Sequence, residues 1–554
     1  MKILKKYWFK ILMVLPFFPV IALIYSLDRF SGIDDHLRFL LAIVLISGSL
    51  LLFFLGFYFE ISRGNLNNKK VKFAIGGFRF GIAEVARVVL SVGLLLFSYL
   101  ILNYAMMGMR FVNAIENIAT IPQKQMQRGY SLVSMVDFDI GSQKTYGRVG
   151  MLAGVDDELK LGFDEFLADQ NFILNPIPTM FDTPFEMINA MYNDEVASII
   201  IGSNFVHVFD ELSGFENIAT DTLVLKQFDL EVRNVERAEV DPKKPFSILL
   251  LGLNQFDQAL TSGAINVFML LTVNLEELSF TITSIPRDSY VPIPCNNYIY
   301  DKLSHTNLGG STCAVGAIEQ MFDMKIPYYV KLNFAGFMEI VDVLGGIEVD
   351  VPLAFQEQDS RRRFSEDHLI RLEAGMQRLN AEQALALARH RGKTGNSGMT
   401  GDDFTRVEHQ QLVFKAMLDE MLQQANSIND LIPLVEVIGD HVETNLSAHE
   451  IMSIGQYLTV LLATKTSTDL MNEIHFSNMV ILGDTTTIDV RHYGHLWVSF
   501  PWKERITEAR RLMMINLGYE EPVPNFGFEY DGFIRRESLG VYRRNEQGVS
   551  NNES

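Results

Sequence analysis

The sequence predicts an α/β protein that three N-terminal helices attach to a membrane and that carries two further folded domains. Three observations support this: uncharged apolar runs near the N-terminus, an uneven distribution of charge, and an alternation of strand-like and helix-like segments after residue 242. The chain has 554 residues, 48% of them apolar, and a net charge of −20. That length exceeds one compact domain and leaves room for two or three.

Three uncharged apolar runs predict the membrane helices. They cover residues 11–27, 39–59 and 88–109, and about 20 helical residues are needed to cross the hydrocarbon core of a bilayer. Buried core helices are the alternative, but the length of these runs and their lack of charge favour membrane spans. No small-x-small cleavage site follows the first run, so we predict an uncleaved anchor rather than a signal peptide.

The distribution of charge predicts the orientation of the chain. Residues 1–110 contain 13 basic and 5 acidic residues, whereas the rest of the chain contains 34 basic and 62 acidic residues. The N-terminus and the loop between the second and third runs are basic, and basic loops stay in the cytoplasm. We therefore expect a multi-pass protein of the cell membrane whose large C-terminal part is extracellular. Its acidic character argues against nucleic-acid binding, because phosphate backbones need a basic face.

The remaining chain divides by composition. Residues 1–110 form the membrane anchor, and residues 111–242 form a small α/β accessory domain in which we find no site. A proline-punctuated polar stretch at 242–245 is typical of a linker. Residues 243–519 form the second exterior domain, and the polar residues 520–554 are expected to be a disordered tail.

Residues 243–519 alternate between strand and helix patterns. Three apolar, β-branched runs predict neighbouring buried strands at 246–253, 265–274 and 278–285. Apolar residues at helical spacing predict a helix over 334–344, and alternating apolar and acidic residues predict a strand at 347–351. Asn380 followed by Gln383 predicts the start of another helix. The interleaving indicates a mixed sheet flanked by helices.

Arginines stand at the ends of these predicted elements, in Ser-Ile-Pro-Arg-Asp at 284–288, Arg-His-Arg at 389–391 and Asp-Phe-Thr-Arg at 403–406. Arg406 and Gln410 lie one helical turn apart and can share a face. In an acidic domain such arginines indicate an anion site, because guanidinium groups bind phosphate through paired hydrogen bonds. From spacing alone, surface ion pairs with nearby aspartates explain the pattern equally well.

Several motifs in this domain resemble the LytR–CpsA–Psr family. They are SIPRD, FAGFMEIVDVLGGIEVDVP at 334–352, LEAGMQRLNAEQALALARHR at 372–391 and DFTRVEHQQ at 403–411. Together with the three-span anchor and the intervening domain, they are similar to the CpsA branch. The resemblance implies an extracellular phosphotransferase of Gram-positive envelopes. Such an enzyme uses Mg2+ to move a capsule or teichoic-acid-like glycopolymer from polyprenyl pyrophosphate to peptidoglycan, and capsule-assembly membrane proteins are further expected partners.

The resemblance also implies roles for individual residues. The expected pyrophosphate contacts are Arg287, Arg389, Arg391, Arg406 and Gln410. The expected substrate-binding residues are Lys302 and, in a lipid-tail pocket, Phe334, Phe337 and Phe355. For any one phenylalanine, a place in a plain hydrophobic core is the commoner role. Asp288 or Asp403 would accept the proton of the attacking hydroxyl, and capping of the helix that carries Arg406 is an equally good interpretation of Asp403.

The chain departs from the family at the expected metal ligands. The resemblance places Mg2+ ligands at Asn254 and Asn266, where the family has aspartates, and Ala264 replaces an expected arginine. An amide oxygen can ligate Mg2+ but brings no charge, and this cation is normally held by carboxylates and substrate phosphates. We therefore expect a weakened Mg2+ site and weaker transition-state stabilisation. The alternative function is that of a non-catalytic relative that binds lipid-linked polymer and regulates or scaffolds polysaccharide assembly.

Other classes of protein are less compatible with the sequence. Cys295 and Cys313 are too few for a disulfide-dense scaffold or a four-cysteine zinc site, and an exported location favours a disulfide between them. Adjacent Ser304 and His305 lack the oxyanion-type loop of a serine hydrolase. A role as a transcription regulator conflicts with the exterior position of the large domain and with the absence of a helix-turn-helix pattern in the short cytoplasmic loop.

Overall fold

A computed structural model of the chain describes the following residues: 9–28, 35–61, 72–75, 78–125, 127–137, 147–153, 162–163, 166, 177–209, 212, 214–231, 241, 244–254, 264–296, 298–361, 363, 366–392, 403–424, 432–465, 467–490 and 494–519. Contacts divide the chain into two units, residues 1–117 with 448–460 and residues 118–447 with 461–554. The predicted disordered tail, 520–554, lies outside the described residues.

The first elements of the chain are long apolar helices. A helical segment at 9–14 continues after a turn into α1. The elements are α1 (Phe17–Asp28), α2 (Asp35–Ile61), β1 (Lys72–Ile75), β2 (Phe78–Gly81) and α3 (Ile82–Gln125). Three segments are long and apolar enough to cross a membrane, namely Phe9–Ser26, Arg38–Tyr58 and Val88–Arg110. The three predicted helices are thus confirmed, and they indicate that the protein is anchored in a membrane.

The accessory region folds around a five-stranded sheet. Its elements are β3 (Gln127–Met135), β4 (Arg148–Leu152), β5 (Ile177–Phe181), α4 (Pro184–Tyr192), β6 (Ser198–Gly202), α5 (Phe205–Phe209), α6 (Ile218–Asp221) and β7 (Thr222–Glu231). The strand order is β5-β4-β6-β3-β7. β4 is parallel to its neighbours β5 and β6, whereas β3 is antiparallel to both of its neighbours.

The C-terminal half contributes the remaining elements. The first group is β8 (Phe246–Leu253), β9 (Ile265–Asn274), β10 (Ser279–Ile285), β11 (Tyr290–Ile293), β12 (Ile299–Lys302), α7 (Gly310–Phe322), β13 (Tyr328–Leu332), α8 (Phe334–Val343), β14 (Ile347–Val351), β15 (Phe355–Gln358), β16 (Leu369–Leu372) and β17 (Gly375–Leu379). The second group is α9 (Ala381–Arg389), α10 (Asp403–Gln424), α11 (Ile432–His441), β18 (Val442–Thr444), α12 (Ala448–Thr464), α13 (Ser467–Glu473), β19 (His475–Val480), β20 (Gly483–Val490), β21 (Gly494–Pro501) and α14 (Lys503–Asn516).

A mixed six-stranded sheet organises this half, in the order β18-β13-β8-β9-β10-β19. The pairs β13–β8 and β10–β19 are parallel, and the other pairs are antiparallel. The two predicted strands at 246–253 and 265–274 coincide with β8 and β9. α9 begins as predicted, because the Asn380 side chain accepts from the Gln383 N–H and the Gln383 side chain accepts from the Asn380 N–H.

The two faces of this sheet have different coverings. Because side chains alternate along a strand, Leu249 and Leu251 of β8 belong to a core cluster with residues of α7 and α14. The intervening Leu250 faces the opposite side, as does Met269 of β9, and both line a cavity beneath α8, α9 and α10. The sheet is therefore sealed on one face and forms the floor of a cavity on the other.

The accessory sheet does not complete its own hydrophobic core. Its core cluster includes four residues of the C-terminal hairpin β20–β21: Ile488, Leu496, Val498 and Phe500. The predicted separation of 111–242 from 243–519 is therefore not a separation of cores, because residues far along the chain cover the accessory helices and strands. The prediction missed this because a single amphipathic hairpin carries no sequence signal of which core it joins.

Candidate functional site

A cavity of about 720 Å³ lies between the sheet floor and helices α8, α9 and α10. Its apolar lining includes Leu250, Val267, Met269, Val330, Leu332, Phe334, Phe337, Ile340, Leu385, Val413, Phe414 and Met417. Its polar lining includes Asn254, Asn266, Arg287, Asn333, Glu357, Gln358, Arg389, Arg391, Arg406 and Gln410. The two sets are segregated along α10, where Arg406 and Gln410 precede Val413 and Met417. The cavity therefore has a cationic end and an apolar interior.

The strands bring three of the polar residues to one edge of the sheet. Asn254 follows the last residue of β8, Asn266 is the second residue of β9, and Arg287 lies two residues after β10. Neighbouring antiparallel strands place the end of one beside the start of the next, so residues far apart in sequence meet there. Arg287 Nη1 donates to Asn266 Oδ1 at 2.7 Å, which fixes the guanidinium at this edge.

The other arginines of the cavity lie on, or just after, the helices that cover it. Arg389 is the last residue of α9, and its Nη2 donates to the carbonyl oxygens of Gln358 at 2.5 Å and Asp359 at 3.0 Å. Gln410 Nε2 donates to the Ala388 carbonyl oxygen at 3.3 Å and so ties the start of α10 to the end of α9. The structure therefore brings together all five residues predicted to contact pyrophosphate, because each of them lines the cavity.

Asp288 and Lys302 are paired with each other beside the cavity. The Lys302 Nζ atom lies 3.2 Å from Asp288 Oδ1, and Arg287 Nε lies 3.8 Å from the same oxygen. Burial raises the pKa of Asp288, but Lys302, Arg287 and Arg406 lower it further, so it lies below its ordinary value. Neither Lys302 nor Asp288 is among the residues that line the cavity, and they are paired with each other, so the substrate contact of Lys302 and the proton transfer by Asp288 remain predictions.

Asp403 and Arg406 form a second buried pair, one turn apart on α10. Asp403 is the first residue of α10, its carboxylate is directed at Arg406, and it is not among the residues that line the cavity. Burial lowers the pKa of Arg406 to about 10, against the opposing effect of Asp403. The buried Nε of Arg406 has no hydrogen-bond partner in the described parts of the chain. Such a donor is satisfied when an anion binds.

The three predicted lipid-contacting phenylalanines separate into two groups. Phe334 and Phe337 line the cavity, and the Arg389 guanidinium lies 5.8 Å from the centre of the Phe334 ring. Phe355 instead belongs to the core cluster of α8 and α9, and its ring stacks on His390 with centroids 4.0 Å apart. Phe355 is therefore not among the cavity-lining residues, and its contact with a lipid tail remains a prediction.

Glu357 is a cavity residue that the sequence analysis missed. Its Oε2 lies 3.4 Å from His390 Nδ1, and its Oε1 accepts from the Gln358 N–H at 3.0 Å. Burial raises its pKa, but these hydrogen bonds and the charge of Arg389 lower it further, so it is below its ordinary value. Glu357 is therefore an ionised carboxylate facing the arginines. No sequence signal distinguishes it from the other polar residues of β15.

The expected Mg2+ ligands, Asn254 and Asn266, both accept hydrogen bonds from the protein. Asn254 Oδ1 accepts from the Ala264 N–H at 2.8 Å, and Asn266 Oδ1 accepts from Arg287 Nη1 at 2.7 Å, so each amide oxygen already has one hydrogen-bond donor. Among the described residues, no group of three or more His, Cys, Asp or Glu is placed to hold a metal ion. A hard cation such as Mg2+ needs several oxygen ligands, and the Arg287 guanidinium is hydrogen-bonded to one of these two amide oxygens.

The predicted disulfide is present. It joins Cys295, in the short helical turn after β11, to Cys313 in α7, with Cα atoms 5.6 Å apart. The linked segment contains β12 and Lys302, the partner of Asp288. The disulfide therefore stabilises the segment that supports the site and contributes no side chain to the cavity.

Comparisons with known proteins agree with this architecture. The sequence profile of the LytR_cpsA_psr family matches residues 216–487. A polyisoprenyl-teichoic acid–peptidoglycan teichoic acid transferase, TagU of Enterococcus faecalis, is 31% identical over 238 residues, which are 42% of this chain and 73% of that protein. The corresponding transferase TagV of Bacillus subtilis is 30% identical over 244 residues, which are 42% of this chain and 59% of that protein.

The chain also has similarity to a solved structure. The crystal structure of Bacillus subtilis TagV has a TM-score of 0.40 and 26% sequence identity, and the match covers 50% of this chain and 99% of that chain. In the sequence comparisons the chain spans between 59% and 73% of the length of the two relatives named above. The family match at 216–487 includes all the residues that line the cavity.

Proposed function

Because the chain belongs to the LytR–CpsA–Psr family, we propose that it is a membrane-anchored phosphotransferase that attaches a polyprenyl-pyrophosphate-linked glycopolymer to peptidoglycan. The observation that most strongly supports this proposal is the separation of polar and apolar residues in the cavity lining. The cavity has four arginines at one end and an apolar interior. A polyprenyl pyrophosphate has the same division into a charged head and an apolar chain. In this proposal the polymer is a teichoic-acid-like glycan, in keeping with the names of the relatives, or a capsular glycan.

The arginines bind and orient the pyrophosphate. Guanidinium groups offer paired donors to phosphate oxygens, and the buried Nε of Arg406 supplies one that no described residue uses. Arg389 is held by two backbone carbonyl oxygens of the β15 segment. Such fixed donors stabilise charge that develops on the phosphates without having to reorganise during the reaction.

The reaction is a displacement at phosphorus. A hydroxyl oxygen of the peptidoglycan acceptor attacks the phosphorus that carries the sugar, and the bond from that phosphorus to the bridging oxygen breaks. Polyprenyl phosphate leaves with the bonding electrons, and its charge is neutralised by the arginines. The products are a polymer–peptidoglycan phosphodiester and polyprenyl phosphate.

Glu357 is the proton acceptor in this proposal. It is the carboxylate that lines the cavity, whereas Asp288 and Asp403 are taken up by ion pairs with Lys302 and Arg406. Its lowered pKa keeps it ionised near neutral pH. The proton of the attacking hydroxyl passes to this carboxylate and then to solvent, and general base catalysis of this kind contributes roughly 10²–10⁴-fold.

We further propose that this chemistry takes place outside the cell. The basic N-terminus and the basic second loop favour a cytoplasmic position for both. After three spans the remainder of the chain is then extracellular, where peptidoglycan is located. Anchoring in the membrane keeps the cavity near a lipid-linked substrate.

A second candidate function has a specific observation in its favour. The two expected metal ligands are amides whose oxygens are engaged by Ala264 and Arg287, and losing a metal removes transition-state stabilisation. A protein of this kind would bind lipid-linked polymer without transferring it and would regulate or scaffold envelope polysaccharide assembly. Turnover separates the two candidates, because both predict binding.

The test is transfer by the purified full-length chain. The substrates are a radiolabelled polyprenyl-pyrophosphate glycan and a peptidoglycan fragment, and the product is the labelled phosphodiester. We expect wild-type transfer, a loss of roughly 10²-fold or more in Arg391→Gln, and no change in Arg371→Gln, whose side chain is exposed and does not line the cavity. Binding without any turnover supports the second candidate, and a failure to bind the glycolipid contradicts both.

A further inference from the structure

The orientation of the two site amides is fixed by their partners. Asn254 Oδ1 receives the Ala264 backbone N–H, and Asn266 Oδ1 receives a guanidinium N–H of Arg287. A backbone N–H and a guanidinium can only donate, so in each contact the amide must present its oxygen. Each Nδ2 group carries two N–H donors and takes no part in these contacts, and both residues line the cavity.

The charge around these amides also favours an anion over a cation. Four arginines line the cavity, against the single lining carboxylate of Glu357. Among the described residues, Asp288 and Asp403 are paired with Lys302, Arg287 and Arg406. A divalent cation at this end would meet guanidinium groups and amide N–H groups, whereas it requires several oxygen ligands.

The Asn266–Arg287 contact shows what replaces the cation. Arg287 Nη1 lies 2.7 Å from the Asn266 amide oxygen, at the position where a metal ligated by that oxygen would compete with it. The guanidinium is buried, with 8% of its residue surface exposed, so it is held in place by the fold. A resident positive charge of the protein thus occupies the edge of the sheet where the family would hold Mg2+.

We propose that this cavity binds the pyrophosphate of its lipid ligand without a divalent cation, with the Nδ2 groups of Asn254 and Asn266 and the arginines as the donors. This inference rests on the proposed function, since it takes polyprenyl pyrophosphate as the ligand. It sets this chain apart from relatives with aspartates at these positions, where the metal would supply the positive charge. The two amides are then ligand-binding residues, and the site is independent of Mg2+ for recognition.

The experiment measures binding of geranylgeranyl pyrophosphate to the purified full-length chain by calorimetry, in EDTA and in millimolar Mg2+. We expect wild-type affinity in EDTA to be at least as high as in Mg2+, within about twofold. The Asn254→Asp/Asn266→Asp variant should bind about tenfold more weakly in EDTA and recover in Mg2+, because two carboxylates repel the ligand unless a cation bridges them. Asn472→Asp/Asn478→Asp, with two exposed asparagines, is the matched control and should behave like the wild type.

A second readout does not depend on the ligand or on activity. Electron paramagnetic resonance of Mn2+, used as a substitute for Mg2+, reports how much of the ion is bound to the protein. We expect no Mn2+ binding by the wild type beyond that of the control variant, and binding by the Asn254→Asp/Asn266→Asp variant.

The outcomes separate this inference from the proposed function. Wild-type binding in EDTA supports both. Wild-type binding that requires Mg2+, or stoichiometric Mn2+ binding by the wild type, overturns the metal-free site and leaves the proposed substrate intact. No binding of geranylgeranyl pyrophosphate under either condition overturns the proposed function and this inference with it.

Discussion

At the cationic end of the cavity, the acidic side chains divide into those that support the arginines and one that faces the ligand space. Asp288 and Asp403 are buried against Lys302 and Arg406, and removing one partner of such a pair leaves an uncompensated charge. Glu357 lines the cavity, with His390 Nδ1 at 3.4 Å and the Gln358 N–H donating to its other oxygen. Chemistry that needs a carboxylate at the substrate therefore depends on Glu357.

Replacing Glu357 tests this assignment. Glu357→Gln removes the proton acceptor while keeping the size of the side chain, so we expect the transfer rate to fall roughly 10²–10⁴-fold. Binding of geranylgeranyl pyrophosphate should be unchanged or tighter, because a negative charge is removed from an anion site. Glu348→Gln, an exposed glutamate of β14, is the control. Unchanged transfer by Glu357→Gln would contradict the role of this residue.

Asp288 affects stability instead. Its pKa lies below the ordinary value, so its contribution to folding is complete above the unfolded pKa of about 3.9 and is lost as pH falls through the folded value. We expect Asp288→Asn to cost roughly 3–5 kcal/mol of unfolding free energy at neutral pH and to weaken the loss of stability on acidification. Urea unfolding across the acid range measures both effects. Asp350→Asn, an exposed residue of β14, should show neither.

At the scale of single residues, the sequence predicted the positions of the site arginines better than those of the residues around them. Arg287, Arg389 and Arg406 stand at the ends of strongly patterned strands and helices, so a correct fold class was enough to bring them together. The places of Phe355 and Glu357 depend on how the short strand β15 packs against His390. That packing is a tertiary property, and no local pattern in four strand residues encodes it.

Among the helices and strands, the predictable ones are those whose ends are marked by specific residues in the sequence. α9 begins at a reciprocal capping box between Asn380 and Gln383, and β8 and β9 are apolar runs bounded by polar breaks. The alternation along β8 also determines which residues face the cavity and which face the core cluster with α7. The depth of the cavity was not predictable, because it depends on how α10 sits above the sheet.

The disulfide between Cys295 and Cys313 gives a prediction at this scale. It closes a segment of 18 residues, and the chain-entropy model gives about 3 kcal/mol for a loop of this size. We expect the Cys295→Ser/Cys313→Ser variant to lose about that amount in urea unfolding. A reducing agent should lower wild-type stability similarly and leave the variant unchanged. Equal stability of the wild type and the variant would mean that the fold alone restrains the segment.

For the whole molecule, the consequential feature is the core that the accessory sheet shares with the β20–β21 hairpin. Phe500 and Val498 of that hairpin pack with residues of α4, β6 and α5. Most of the hairpin lies beyond the family-matched region, which ends at residue 487. A division of the exterior part at residue 242, drawn from composition, cannot reveal a contact between segments nearly 300 residues apart in sequence.

The core shared by the accessory sheet and the β20–β21 hairpin predicts how the exterior part of the chain unfolds. Phe500→Ala removes a ring that is 4% exposed and should cost roughly 3–5 kcal/mol. Because the hairpin serves the accessory core and follows the family domain, we expect one cooperative transition shifted as a whole in denaturant unfolding of the full chain. Trp497→Ala, with a half-exposed side chain on the same strand, should change stability by roughly 0.5 kcal/mol or less. Two transitions, of which only one shifts, would contradict a shared core.

The most direct measurement of the central claim is a structure of the full chain determined with geranylgeranyl pyrophosphate. We expect the pyrophosphate to lie within hydrogen-bonding distance of Arg287, Arg389 and Arg406. The prenyl chain should run along Val413 and Met417 beneath α10. A ligand bound on another surface, or one with its prenyl chain against the arginines, would contradict the assignment of this cavity as the site of the lipid-linked substrate.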